Sequence, residues 1–231
     1  KLWSEASQEV KGIRPDGMAQ AARRFARFPL FRSWSRLLLG LNARIAIFFM
    51  SVLFGAKAVG LFGLAESMIS LPMILIGTSV AQVYYAEIAR YGKSSPDKIR
   101  ALTLSVMKKM FCLGMVPTVV VMGAGPWLFD LVFGSAWREA GVYAQVLSAI
   151  ILARFVSSPV MHCFDVLERQ GSLLALNVIR IVLMVVVFMG SAFAGLSALG
   201  TVTLYSLALA VYWILSAGMV FWALHQSVAG R

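Results

Sequence analysis

Arg44, Glu66, Arg154 and Arg180 each fall inside a long apolar run of this chain. A charge near the bilayer centre costs about 2.5 kcal/mol or more unless it faces protein or water. Several such charges in one small chain therefore imply a polar path through an apolar interior. Helical spacing turns the scattered polar residues into faces: Ser33, Arg36, Gly40 and Arg44 recur at intervals of three and four and share one side of a helix. Asn42 and Ser51 widen that sector, a second stripe runs from Gly63 and Glu66 through Ser70 and Thr78 to Gln82, and Arg154, Ser158, His162 and Asp165 form a third. Asn177 and Arg180 add a fourth. The guanidinium fork suits phosphate or carboxylate, so arginines facing one cavity would attract an anion, such as a pyrophosphate-linked lipid or an acidic sugar. Glu66 can pair with Arg44 inside the membrane, lowering the cost of both, or titrate and couple transport to protons. The expected cavity-lining set is Arg36, Asn42, Arg44, Glu66, Arg154, Asn177 and Arg180, with Glu66 as the ion-coupling candidate.

Two readings compete for these stripes. Small residues let membrane helices approach closely, which accounts for the glycines, alanines and serines. Packing needs no arginine, however, and the charged members favour a cavity bordered by the first, second, fourth and fifth spans. Arg36 and Arg180 lie nearer a span end, where snorkelling is the alternative. His162, His225, Cys112 and Cys163 have no metal-ligand spacing, and no Ser/His/Asp set or phosphate-cradling glycine loop is present. No catalytic residue, metal or cofactor is expected, and the chain reads as a transporter, not an enzyme.

Composition carries the class. Of 231 residues, 60% are hydrophobic, against roughly 45–50% in soluble domains, and the mean hydropathy is +0.81. Apolar runs of about 20 residues, enough to cross a hydrocarbon core, recur along the chain. The net charge of +11 raises nucleic acid as a partner, but the basic residues cluster at the ends of apolar segments, as membrane topology requires; nucleic acid is not expected.

Residues 1–30 are polar and basic, a cytoplasmic segment whose second half, with Phe25 and Phe28 among arginines, suits the membrane surface. Residues 31–231 read as six spans, near 34–54, 59–83, 110–125, 142–160, 173–193 and 199–224. Pro126–Gly141, rich in Trp and Phe, reads as an interfacial loop. Arg90, Lys93, Lys98, Arg100, Lys108, Lys109 and Arg169 fall in alternate connections, with Lys57 and Arg138 in the others. The positive-inside rule then places both termini in the cytoplasm. The expected fold is all-α: a polytopic membrane protein with a six-helix transmembrane bundle.

Certain residues also carry a resemblance. Leu53–Arg90, with Phe54-Gly55, Val59-Gly60, Leu71-Pro72, Ile76-Gly77 and Ala81-Gln82-Val83, resembles bacterial polysaccharide biosynthesis proteins. These are the oligosaccharide and O-antigen flippases of the multidrug/oligosaccharidyl-lipid/polysaccharide exporter superfamily. Leu128–Leu147, Arg27-Phe28-Pro29-Leu30 and Leu167-Glu168-Arg169-Gln170 add to it. The resemblance implies one lobe of a two-lobe transporter, the carboxy-terminal one, whose partner is an amino-terminal lobe of the same protein. Lys1 in place of Met agrees with that expectation. It further implies a flippase moving undecaprenyl-pyrophosphate-linked oligosaccharide or polysaccharide repeat units across the bacterial inner membrane. A lipid-linked sugar would be the substrate, with membrane lipids, a polysaccharide polymerase and chain-length proteins as companions. The alternatives are a multidrug or peptidoglycan-precursor lipid exporter of the same superfamily, or a non-transporting scaffold or enzyme of polysaccharide assembly.

Overall fold

A computed structural model describes the backbone of residues 27–92, 95–167 and 169–229, and side chains within those stretches from 44 to 226. Most of the expected basic segment 1–30, and the side chains of Arg36 and Asn42, lie outside the described residues. The chain divides into two compact units, Lys1–Leu41 and Asn42–Arg231. Of the first, residues 27–41 are helical. The second holds the membrane-crossing helices and every described side chain.

The described residues are almost all helical, with no strand among them. The long helices are α1 (Arg27–Tyr91), α2 (Pro96–Phe133), α3 (Arg138–Ser157), α5 (Gln170–Phe193) and α6 (Ala198–Ala229), with a short α4 (Cys163–Val166) between α3 and α5. Single 3₁₀ turns, Ser135–Trp137 and Pro159–His162, lead into α3 and out of it. Five of these stretches are long and apolar enough to cross a membrane, and the protein is an all-α, multi-pass membrane protein. Two of the six expected spans fall within α1. Its apolar stretch Arg44–Tyr91 has 48 residues, about 72 Å if straight, more than twice a hydrocarbon core of roughly 30 Å. The helix is broken at Gly55, whose φ of 78° and ψ of −177° lie in the region that favours glycine. Phe49, before the break, stacks on Phe188 of α5 at 5.2 Å, and Phe62, after it, meets Tyr205 of α6 at 6.2 Å. Phe188 and Tyr205 are themselves 5.5 Å apart, so both halves of α1 dock on one aromatic cluster.

Pro126–Gly141 is not a loop. α2 continues through Pro126 to Phe133, only Gly134 departs from helical geometry, and a 3₁₀ turn delivers the chain into α3. The aromatic content that suggests an interfacial loop belongs to two helix ends. Short connections force neighbours to run antiparallel, and contacts at the ends agree. Lys57 pairs with Glu139 at 2.9 Å at one end. At the other, Arg169 donates to Gln226 at 2.8 Å, and Pro96 and Arg100 share a small pocket with Leu224 and His225. The second end therefore gathers Arg90, Lys98, Arg100 and Arg169.

α3 is the most enclosed helix, packed against both α2 and α6. Ala140, Ala144, Leu147, Ser148 and Ile151 are all buried. Small residues permit that closeness. A Cβ on Gly141 would lie 2.5 Å from the Gly125 carbonyl oxygen and from the Pro126 Cα, and one on Gly125 would lie 2.7 Å from the Gly141 carbonyl oxygen. Polar side chains then lock the helices: Gln145 donates to the Met122 carbonyl at 2.6 Å and Ser206 to the Val146 carbonyl at 2.7 Å. Tyr212 of α6 donates to the Leu176 carbonyl of α5 at 2.9 Å. Because the obstacle at Gly141 is backbone, Gly141→Ala should lower stability by roughly 1–3 kcal/mol, as overpacking does. Gly123→Ala, where a Cβ meets open space, should leave the melting temperature in detergent unchanged or slightly raised. Equal melting temperatures for both variants would contradict the crossing.

Candidate functional site

Two helices bring cations to one place, and a third brings a carboxylate. α3 ends at Ser157 because Pro159 cannot supply the next backbone N–H, and the chain tightens into the 3₁₀ turn Pro159–His162. Arg154 thus sits in the last helical turn, where the carbonyl end of the helix dipole favours a positive charge. Its guanidinium lies 3.7 Å from the Glu66 carboxylate of α1. That is an ion pair but too long for a hydrogen bond, so the arginine keeps donors for another acceptor. Both side chains keep about a quarter of their surface open, 30% for Arg154 and 24% for Glu66.

Arg180 comes from the middle of α5. Its guanidinium lies over the Trp213 ring of α6, 5.4 Å from the centroid, a cation–π geometry. It also donates to Asn177 Oδ1, one turn earlier, at 3.4 Å. Arg154 and Arg180 line one cavity of about 330 Å³, together with Ser70, Gly77 and Thr78 of α1, Ser158, His162 and the edge of Trp213. At its rim His162 Nδ1 is 3.2 Å from Asp165 Oδ2, and the His162 ring meets Tyr85 edge-on at 5.7 Å. An anionic group of a few oxygens would find two guanidinium groups, several hydroxyls and an imidazole here, with the Glu66 and Asp165 carboxylates set back from the lining.

The expected residues are thus partly reunited. Arg154 and Arg180 line the cavity; Glu66 and Asn177 stand behind them as partners, Asn177 being buried. The expected Glu66–Arg44 pair is not formed. Arg44 is exposed, while Ala46 and Met50 supply the buried side of that part of α1. The break at Gly55 separates the two residues, and Glu66 meets α3 instead. Arg36 and Asn42 belong to the side chains that are not described. Trp213 is not among the expected residues; its only signal in the sequence is an aromatic in mid-span, away from the interfaces where tryptophan usually collects. Among the described residues no group of His, Cys, Asp or Glu could hold a metal ion.

The fold and the site define a polytopic helical membrane protein with an open recess lined by two arginines. The chain belongs to the polysaccharide biosynthesis protein family, whose model matches residues 6–142, more than half of its length. It is similar to the teichuronic acid biosynthesis protein TuaB of Bacillus subtilis (strain 168), with 28% identity over 136 residues. The match covers 58% of this chain and 28% of that protein, so the chain spans little more than a quarter of the relative's length. No solved structure matches. The family's description connects its members to polysaccharide biosynthesis.

The Glu66–Arg154 pair is testable by itself. A double-mutant cycle with Glu66→Gln and Arg154→Gln, read by thermal unfolding in detergent, should give a coupling energy of roughly 0.5–3 kcal/mol, as for residues in direct contact. The same cycle between Glu66 and Arg44 should give none. Coupling to Arg44 and not to Arg154 would reverse the assignment.

Proposed function

We propose that the protein is part of a flippase that carries a lipid-linked, anionic sugar intermediate of polysaccharide assembly across the bacterial inner membrane. The observation that supports this most is the placement of Arg154 and Arg180 together in a cavity walled by membrane-crossing helices. Charges at that depth are expensive and mark substrate or ion pathways. A diphosphate bridging lipid and sugar offers the acceptors that two guanidinium forks would take. The sugar and phosphate would occupy the polar cavity while the hydrocarbon chain stays with the bilayer. The end carrying Arg90, Lys98, Arg100 and Arg169 would face the cytoplasm, by the positive-inside rule. In this reading the chain acts as one lobe, opposed by a second lobe across a central passage, and rocking of the lobes would expose the site alternately to each face. Glu66 would hold Arg154 until substrate phosphate displaces it, and protonation of the freed carboxylate would be the coupling step.

The basic cavity disfavours a cation-extruding drug pump, because like charge raises the cost of bringing the substrate in. In full-length protein reconstituted into liposomes, Arg154→Ala and Arg180→Ala should each slow flipping of a fluorescent polyprenyl-diphosphate sugar by about tenfold or more, the loss of one charge-assisted contact. Arg154→Lys should retain part of the rate. Cells carrying the alanine variants should accumulate lipid-linked repeat units with their sugars on the cytoplasmic leaflet. Unchanged flipping by correctly folded alanine variants would overturn the proposal, as would transport of cationic dyes in place of the lipid-linked sugar.

A further inference from the structure

Beside the basic cavity runs a second recess with the opposite chemistry. It lies between α1 and α2, has a volume of about 420 Å³ and is almost wholly apolar. On α1 it extends from Met68 to Ile76, about 12 Å along the helix axis. Pro72 of α1 and Pro117 of α2 both line it. Each lacks a backbone N–H and so leaves one carbonyl of its own helix without its ladder partner. Exposed Ile76, Leu113 and Val116 form its outer lip, where a membrane protein meets acyl chains.

The two recesses share part of their wall. Met73 and Phe155 line both. Phe155 is buried and its ring lies between two glycines of neighbouring helices: a Cβ on Gly77 would be 3.7 Å from it, and one on Gly114 only 2.8 Å. Consecutive residues of α3 thus differ in role: Arg154 lines the basic cavity alone and Phe155 lines both recesses. The glycine on either side lets the helix backbones close on the ring, and a side chain at Gly114 would collide with it.

We infer that the α1–α2 groove is the seat of the first part of the hydrocarbon chain of the same lipid whose anionic head lies against Arg154 and Arg180. A ligand with a diphosphate at one end and an isoprenoid chain at the other matches two adjoining recesses, one cationic and one apolar, better than a soluble sugar or a drug cation matches either. Phe155 and Met73 are the partition over which the junction of head and chain passes. The inference rests on the flippase reading and adds to it where the lipid enters the lobe: laterally, between α1 and α2.

The test separates head from chain. Binding to full-length protein in detergent is measured for two probes, a long-chain polyprenyl diphosphate and a water-soluble short-chain diphosphate analogue. Val116→Trp, at an exposed position of the lip, should fill the groove and weaken the long-chain probe by roughly tenfold, leaving the short-chain analogue unaffected. Val119→Trp, an exposed residue of α2 outside the groove, should change neither. Arg154→Ala should weaken both. An unchanged long-chain affinity in Val116→Trp would overturn the groove assignment and leave the flippase reading standing. Equal displacement of the long-chain probe by phosphatidylglycerol would also overturn it, the groove then being filled by bulk lipid. Failure of wild-type protein to bind either probe would remove both proposals together.

Discussion

The structure turns on how a guanidinium is kept inside an apolar bundle. Removing a charge from water costs several kcal/mol even after relaxation, and an ion pair recovers that only with good geometry and further partners. Arg154 has three kinds of support: Glu66 across the helix interface, the carbonyl end of its own helix, and an opening that leaves part of it solvated. None of these exists without the position of α3. The helix must lie close enough to α1 for the pair to form, and it must stop soon after residue 154. The first condition is met where Gly77 of α1 packs against the Phe155 ring of α3, a Cβ there lying 3.7 Å from it. The second depends on Pro159. Arg180 is handled differently: an aromatic face and a neighbouring amide accept its charge.

The same constraint explains why the sequence is informative about some residues and misleading about others. Span positions are legible because membrane-crossing helices must be long and apolar whatever their neighbours are. Arg154 and Arg180 are legible as cavity residues for the same reason, since their cost is a property of depth. Pairings are not legible. Glu66 and Arg44 lie on one hairpin of the sequence, and proximity along the chain makes them a natural pair. The actual partner comes from a helix almost ninety positions away, brought in by packing that no periodicity encodes. Nor does the polar stripe of Ser33, Arg36, Gly40 and Arg44 show whether it faces the bundle interior. At Arg44 the buried side of the helix is the one bearing Ala46 and Met50, because small and flexible apolar residues fill the contact. Pro126–Gly141 misleads because Gly and Pro usually mark turns and Trp collects at membrane interfaces. Here a proline is absorbed in a membrane helix, and only one glycine makes the turn.

Charge balance then governs what the site can hold and release. The lining of the cavity carries two guanidinium groups and no carboxylate, Glu66 standing behind Arg154 and Asp165 beside His162, so its wall has a local excess of positive charge. In a setting of low dielectric such an excess attracts an anion more strongly than it would in water. A fully neutralised cavity would bind nothing charged; one with both arginines bare would be costly to fold and would release an anion slowly. Glu66 at 3.7 Å from Arg154 is between these limits: near enough to offset the charge when the site is empty, and too loosely held to compete with an oxyanion that can take two short hydrogen bonds from the same fork. Under the flippase reading, the length of that one contact is what would let the site hand an anion onward.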